Sequence, residues 1–149
     1  MREAVMCFVF IDGKLLMINR NRPPFMGMWN VVGGKVERGE TPEQACVREV
    51  FEESGIKIVS PERVSRFTWN YDDEIGYAFT VRVEKPDLIF PVGTEEGIVD
   101  LKPIPWVLSE KNYGVIADLR VFLKDIEKNE KHDYHLIYDG ATLTDYVVK

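Results

Sequence analysis

A domain in which helices cover a β-sheet, of the α/β or α+β class, is what this sequence predicts, and three observations predict it. Short apolar runs rich in β-branched and aromatic residues recur along the chain, two of them followed by Asp-Gly pairs at Asp12-Gly13 and Asp139-Gly140. Two stretches carry helix signals, one through its caps and one through its apolar spacing. The composition, 149 residues with 45% hydrophobic and 30% charged, suits one domain over residues 1–149 with a full core.

Ala4 to Ile11 (AVMCFVFI) reads as a strand and pairs with Lys14 to Asn19 (KLLMIN), because Asp-Gly takes the positive φ values of a type I′ hairpin turn. Arg20 to Met28 contains Pro23, Pro24 and Gly27 and reads as a loop. Thr41 to Ser54 is the best-marked helix: Thr41 is the N-cap, Pro42 the first helical residue, Gln44 the partner in a capping box and Gly55 the stop. Ile56 to Val59 is strand-like. Val64 to Trp69 and Ile75 to Val83 form a second hairpin about the polar turn Asn70 to Glu74. Lys85-Pro86-Asp87 and Gly93 to Gly97 are loops. Val99 to Leu108 is a strand that must end at Pro103 or lie at a sheet edge. Val115, Leu119, Phe122 and Ile126 recur at helical spacing and define a helix from Val115 to Lys128. His135 to Tyr138 and Ala141 to Val148 close the chain as a hairpin.

Nineteen basic against 25 acidic residues leave a net charge of −6, which argues against a nucleic-acid polymer or an anionic membrane as main partner. No apolar run approaches the ~20 residues of a membrane span, and Met1-Arg2-Glu3 leads into a strand rather than a signal peptide, so a soluble cytoplasmic protein is expected. Cys7 and Cys46 match no zinc or redox spacing and read as buried reduced thiols.

The chemistry concentrates on the capped helix. Glu49, Glu52 and Glu53 share one face, while Cys46, Val47, Val50 and Phe51 point the other way. Three carboxylates on one face repel, and only Arg48 lies among them. A hard divalent cation, magnesium or manganese, relieves that repulsion and bridges carboxylates to substrate phosphates. Glu40 adds an oxygen just ahead of the helix, and Gly33-Gly34-Lys35 lets backbone approach a ligand closely. Taken alone, the helix reads equally well as a glutamate-rich solvated surface.

The spacing breaks that tie. Gly34, five residues, Glu40, seven residues, then Arg48-Glu49-Val50-Phe51-Glu52-Glu53-Ser54-Gly55-Ile56 resembles the complete box of the Nudix hydrolase family, with every fixed position of the 23-residue pattern filled. The resemblance implies an α/β/α sandwich with a mixed sheet and magnesium-dependent hydrolysis of a nucleoside diphosphate linked to another group. It also implies that Glu49, Glu53 and the Gly33 carbonyl bind metal, with Glu52 as a further ligand, and that Arg48 holds the glutamates in place. In the loop Thr94-Glu95-Glu96-Gly97, Glu96 is preferred over Glu95 as the additional base or ligand.

Gly27-Met28-Trp29-Asn30-Val31-Val32-Gly33-Gly34-Lys35-Val36 further resembles the MutT-type branch that hydrolyses oxidised purine nucleoside triphosphates, and His132 to Val148 continues that likeness. The branch implies Asn30 on a purine edge and Phe25 and Trp69 as aromatic walls; Lys35 is placed on substrate, and Trp29 itself reads as a core aromatic. One departure stands out: where the branch has Trp-x-Asp-Asp, this chain has Tyr113-Gly114-Val115-Ile116-Ala117-Asp118, leaving Asp118 alone to read the base. The reading is a pyrophosphohydrolase of purine or 8-oxo-dGTP-like triphosphates, acting on a small nucleotide as a monomer or homodimer. Two others stay open: a Nudix hydrolase of ADP-ribose or a dinucleoside polyphosphate, and a non-catalytic nucleotide-binding regulator.

Overall fold

Side-chain alternation along the first strand sets up the architecture. In the computed structural model, which describes residues 2–71, 73–84 and 86–149, β1 (Glu3–Ile11) sends Val5, Cys7, Val9 and Ile11 to one face and Phe8 and Phe10 to the other. The same period of two divides Leu16 and Ile18 from Leu15 and Met17 on β2 (Lys14–Arg20), and Val32 from Val31 on β3 (Trp29–Lys35). Each face therefore needs its own cover. Helix α1 (Pro42–Ser54) supplies Ala45, Cys46 and Val50 to the first, and α3 (Leu119–Glu127) supplies Leu119, Phe122 and Leu123 to the second. The expected sandwich follows, with the short α2 (Ile104–Leu108) beside α3.

Among the described residues nine strands form one ladder, in the order β6 (Val92–Thr94), β7 (Gly97–Pro103), β2, β3, β1, β5 (Ile75–Val83), β4 (Glu62–Trp69), β8 (Tyr134–Asp139) and β9 (Thr142–Val148), and β1 and β2 also pair at Phe10↔Leu15 and Ile11↔Lys14. The sheet is mixed. β1 runs parallel to β5 (Ile75–Val83), and β4 (Glu62–Trp69) parallel to β8 (Tyr134–Asp139), while the other neighbours are antiparallel. The second and closing hairpins form as expected, the latter between β8 and β9 (Thr142–Val148). β7 (Gly97–Pro103) stops at Pro103 but is not an edge, because β6 (Val92–Thr94) lies outside it. Met1, Asp72 of the turn expected at 70–74 and Lys85 of the loop expected at 85–87 lie outside the described residues.

Three expectations change. Ile56 to Val59 forms no strand: Ile56 and Ile58 are buried against the α1 face, but the chain is irregular there and no strand among the described residues pairs with it. The second long helix begins at Leu119 rather than Val115, because residues 115 and 116 are held by β3 instead: Val115 bridges Trp29, and the Ile116 N–H donates to the Trp29 carbonyl at 3.0 Å. Phe51 does not face the core with Val50; it is 47% exposed, with Lys57 above its ring.

Candidate functional site

The capping box at the start of α1 forms in both directions, with Thr41 Oγ1 accepting from Gln44 N and Gln44 Oε1 accepting from Thr41 N, and Gly55 ends the helix in the left-handed region at φ 76°. The helix thereby runs a defined length over the sheet and delivers its carboxylates to the Gly33-Gly34 segment of β3. Closeness is what those glycines permit. A Cβ on Gly33 would stand 2.1 Å from the Val5 carbonyl oxygen, and one on Gly34 would stand 2.5 Å from the Glu49 carboxyl.

Arg48 organises the outer part of the cluster. Its Nε and Nη2 donate to the two oxygens of Glu40 at 2.8 and 2.9 Å, Nη1 to Glu49 at 2.8 Å and Glu52 at 3.2 Å, and Nη2 to the Lys35 carbonyl at 3.0 Å. This paired geometry is one that a guanidinium provides and an ammonium does not. The ion pair pulls the Glu40 carboxyl below its usual range and pushes the guanidinium up. The Lys35 side chain is exposed and, with Arg2, Arg38 and Glu40, lines an open cleft of about 280 Å³.

Glu53 is different in kind. It is 7% exposed, accepts the Gly33 N–H at 3.3 Å, and among the described residues has no cation against it. Burial pushes its carboxyl up to about 9, helped by a hydrogen bond to Glu96 and by the charges of Glu96 and Glu49. Glu49 is pushed up as well, by burial first, with Arg48 opposing and Glu52 and Glu96 adding to the rise. Glu96 is thus the loop acid that reaches the cluster. Glu95 instead lends its carbonyl to Asn21 Nδ2 at 2.9 Å. Oxygen donors crowded around a buried carboxyl, one of them holding a proton for want of a positive partner, suit a hard divalent cation.

A second group of polar side chains lies on the α3 face. Asp118 precedes α3 at the N-cap position, yet its side chain makes no capping bond. The carboxyl is instead turned inward and 4% exposed, and burial lifts it to about 6, opposed by Tyr138 and the Trp69 indole. Neither Asp118 Oδ1 nor the buried Tyr138 hydroxyl completes a well-formed hydrogen bond to any described residue. Trp69 packs edge-on to Phe67 and lies beside Tyr71, which meets Tyr138. Asn70 holds Tyr138 in place through its backbone, donating to the carbonyl at 3.0 Å and accepting the N–H at 2.9 Å.

The segment before Asp118 is stitched to β3 by Trp29 N–H to the Gly114 carbonyl at 2.7 Å, and Arg120 clamps the preceding turn through the carbonyls of Ser109 and Asn112, each at 2.8 Å. This brings the segment carrying Asp118 alongside the strand carrying Asn30. Asn30 itself spends its side-chain oxygen on the Val31 N–H at 2.8 Å, the backbone bond typical of an Asx residue. Trp29 is half-buried against the α3-side core, edge-on to Trp106 with Lys102 Nζ 4.4 Å above its ring. Phe25, in the left-handed region at φ 62°, packs at the margin of the α3-side core.

Sequence reading missed Tyr138, which had stood only as one aromatic of a strand. It also missed a cluster of metal-ligating types on the far side of α3, where ligand atoms of Asp125, Glu130 and His132 lie within 4.8 Å of one another and Tyr134 donates to Asp125. Tyr138 depends on β8 returning beside Asp118, which no spacing shows, whereas Asp125, Glu130 and His132 lie within eight residues of one another where α3 ends and the chain turns toward β8.

Comparison with known proteins bears on this arrangement. The family model described as NUDIX domain matches residues 1–129. An ADP-ribose pyrophosphatase of Methanocaldococcus jannaschii is 51% identical over 45 residues, 30% of this chain and 27% of that protein. The NAD-capped RNA hydrolase NudC of Shigella flexneri is 37% identical over 78 residues, 52% of this chain and 30% of that protein. The matched segments thus span less than a third of either relative. In fold, a mutator MutT protein from Bacillus halodurans superposes with a TM-score of 0.78 at 22% identity, covering 100% of this chain and 98% of that one. The NUDIX domain of Shewanella oneidensis NrtR, solved with ADP ribose, gives 0.69 at 19% identity over 85% of this chain and 87% of that one.

Proposed function

The chain belongs to the Nudix family of hydrolases, and from that premise we propose that it is a magnesium-dependent pyrophosphohydrolase of purine nucleoside triphosphates, oxidised purines of the 8-oxo-dGTP kind included. The observation that carries the reading is the buried Glu53 carboxyl, set against the Gly33 N–H and Glu96 with no side-chain cation of its own. In this reading Glu49, Glu52, Glu53 and the Gly33 carbonyl hold a divalent cation, with manganese as a substitute for magnesium. When bound, such a cation neutralises phosphate charge and makes an attacking water more acidic.

The remaining roles fall to the protein. Arg48 fixes the rotamers of Glu49 and Glu52, and through Glu40 it ties the helix to the preceding loop. Glu96, with Glu53, accepts the proton of the attacking water. Lys35 faces phosphate oxygens. At the other end Asp118 and Tyr138 offer adjacent polar atoms to a base edge, with Trp69 and Phe25 as walls and the amide nitrogen of Asn30 still available to donate. Products are the nucleoside monophosphate and pyrophosphate. We read residues 1–149 as one catalytic domain working in the cytoplasm as monomer or homodimer, on a small nucleotide rather than a polymer. Among the described residues no helix is long and apolar enough to cross a membrane.

A second reading is favoured by the names of the relatives, an ADP-ribose pyrophosphatase and an NAD-capped RNA hydrolase. There the same cluster cleaves the internal pyrophosphate of ADP-ribose or of a dinucleotide, and Asp118 and Tyr138 face an adenine or nicotinamide moiety. Hydrolysis of 8-oxo-dGTP, dGTP, dATP, ADP-ribose, NAD and a dinucleoside polyphosphate with magnesium, compared by kcat/KM with product identification, separates the two. Pyrophosphate release from purine triphosphates with negligible turnover of ADP-ribose and NAD establishes the first reading. The opposite ranking establishes the second. Tight nucleotide binding without turnover of any member makes the protein a binding module.

A further inference from the structure

The two cysteines, 39 residues apart in sequence, meet at the joint between the sheet and the helix that carries the carboxylates. Cys7 Sγ on β1 lies 2.6 Å from Cys46 Sγ on α1 and 3.8 Å from the Cys46 carbonyl oxygen, and both residues are fully buried. A covalent S–S bond measures about 2.05 Å, so closure brings the two sulfurs about 0.5 Å nearer. The chain holds two cysteines in all, and each therefore has the other as its intrachain thiol neighbour. Cys46 stands three residues before Glu49 and seven before Glu53, on successive turns of α1, and Cys7 pairs across the ladder with Val32, next to Gly33.

We propose that Cys7 and Cys46 are a covalent modification site: an intrachain dithiol that a peroxide converts to a disulfide, stapling α1 to β1 directly beneath the carboxylate cluster. In the first step one sulfur attacks a peroxide oxygen, the O–O bond breaks, and a sulfenic acid and one water form. In the second the other thiol attacks that sulfur, the S–S bond forms as the S–O bond breaks, and the departing hydroxide takes the thiol proton as a second water. Two thiols and one hydrogen peroxide become one disulfide and two waters. Full burial makes the reaction slow, because peroxide enters only when α1 loosens transiently from the sheet, and it shields the finished bond equally from reductants.

The product is a latch rather than an off-switch. The sulfurs are already in contact, so the bond forms without moving α1 along the sheet, and Glu53 keeps its place over Gly33. Closing a loop of 39 residues raises the melting temperature by about 10 °C.

The test treats the purified protein with hydrogen peroxide, denatures it in a maleimide reagent, and reads intact mass, thiol count, linked peptides and melting temperature. The expected result is loss of two mass units, no free thiol, a linked peptide joining the segments around residues 7 and 46, and the upward shift in melting. Peroxide-treated Cys46→Ser shows no such shift. Because that variant alters packing even when reduced, the linked peptide in the wild-type chain is decisive. Two thiols still free after denaturation, a sulfinic acid on one cysteine, or a disulfide between two chains would each overturn the proposal.

Discussion

The two ends of the candidate site are built in opposite ways. At the end proposed for phosphate, Gly33, Gly34, Glu40, Arg48, Glu49, Glu52 and Glu53 come from one strand-loop-helix stretch, and Glu96 joins them from a distant loop. At the end proposed for the base, Asn30, Trp69, Asp118 and Tyr138 come from β3, β4, the start of α3 and β8. The phosphate end is saturated with hydrogen bonds on its exposed side and crowded with charge on its buried side. At the base end Asn30 and Trp69 are half-buried, while the buried Asp118 and Tyr138 leave Oδ1 and the hydroxyl without well-formed partners among the described residues. A bond common to every substrate can be served by a compact local motif, whereas recognition of one base needs groups converging from several elements.

The largest expected effect lies at the phosphate end. Glu53→Gln should lower hydrolysis about a thousandfold or more while leaving the fold intact, since Gln still accepts the Gly33 N–H. The same change should stabilise the metal-free protein. Glu53 titrates near 9 in the fold against its usual 4.5, so its contribution is fully present below about pH 4.5 and is lost as pH rises through about 9. At pH 8 the variant should melt higher than the wild-type chain, measured without added metal. If hydrolysis survives, the phosphate end is elsewhere.

Cation binding offers a related readout. Loading the site displaces the proton held near Glu53, so affinity for magnesium or manganese should rise with pH up to about 9, and calorimetry in buffers of different ionisation enthalpy should register proton release. Binding that is flat across that range would remove Glu53 from the ligand set.

Arg48→Ala should cost about 10- to 100-fold in kcat with little change in KM, because the lost groups orient ligands and do not touch the base. Arg48→Lys should recover only part of the loss, as one ammonium cannot reproduce the paired bonds to Glu40.

The base end should show smaller and selective effects. Asp118→Asn should change the ratio of kcat/KM between oxopurine and adenine nucleotides about tenfold, and Tyr138→Phe by about threefold, both with kcat on the best substrate nearly unchanged. The wild-type ratio should itself shift as pH crosses about 6, where the Asp118 carboxyl changes charge. Loss of all activity in Asp118→Asn, to the level of Glu53→Gln, would break the separation between the two ends.

Much of this was legible before any coordinates. The α1 boundaries follow from Thr41, Pro42, Gln44 and Gly55, each of which acts through neighbours within a few residues. The Asp-Gly hairpins and the stop at Pro103 were also readable, and Glu96, the loop acid preferred from the sequence, is the one that lies beside Glu53. Ile56 to Val59 was misread because an apolar alternation says that two side chains are buried, not that a neighbouring strand is present to pair. The helix start was misplaced because Val115 and Ile116 satisfy a helical period while their backbone is claimed by β3.

The sequence by itself determined the carboxylate helix, its caps and the glycines beneath it, since those interactions are short-range and their spacing is written along the chain. Tertiary structure decided which carboxylate is buried, that Asp118 turns inward instead of capping its helix, that Tyr138 meets it, and that two unremarkable cysteines touch. The physical reason is the same in each case. Desolvation and contact between distant segments arise only when the sheet brings β1, β3, β4 and β8 under their helices, and no local pattern carries that information.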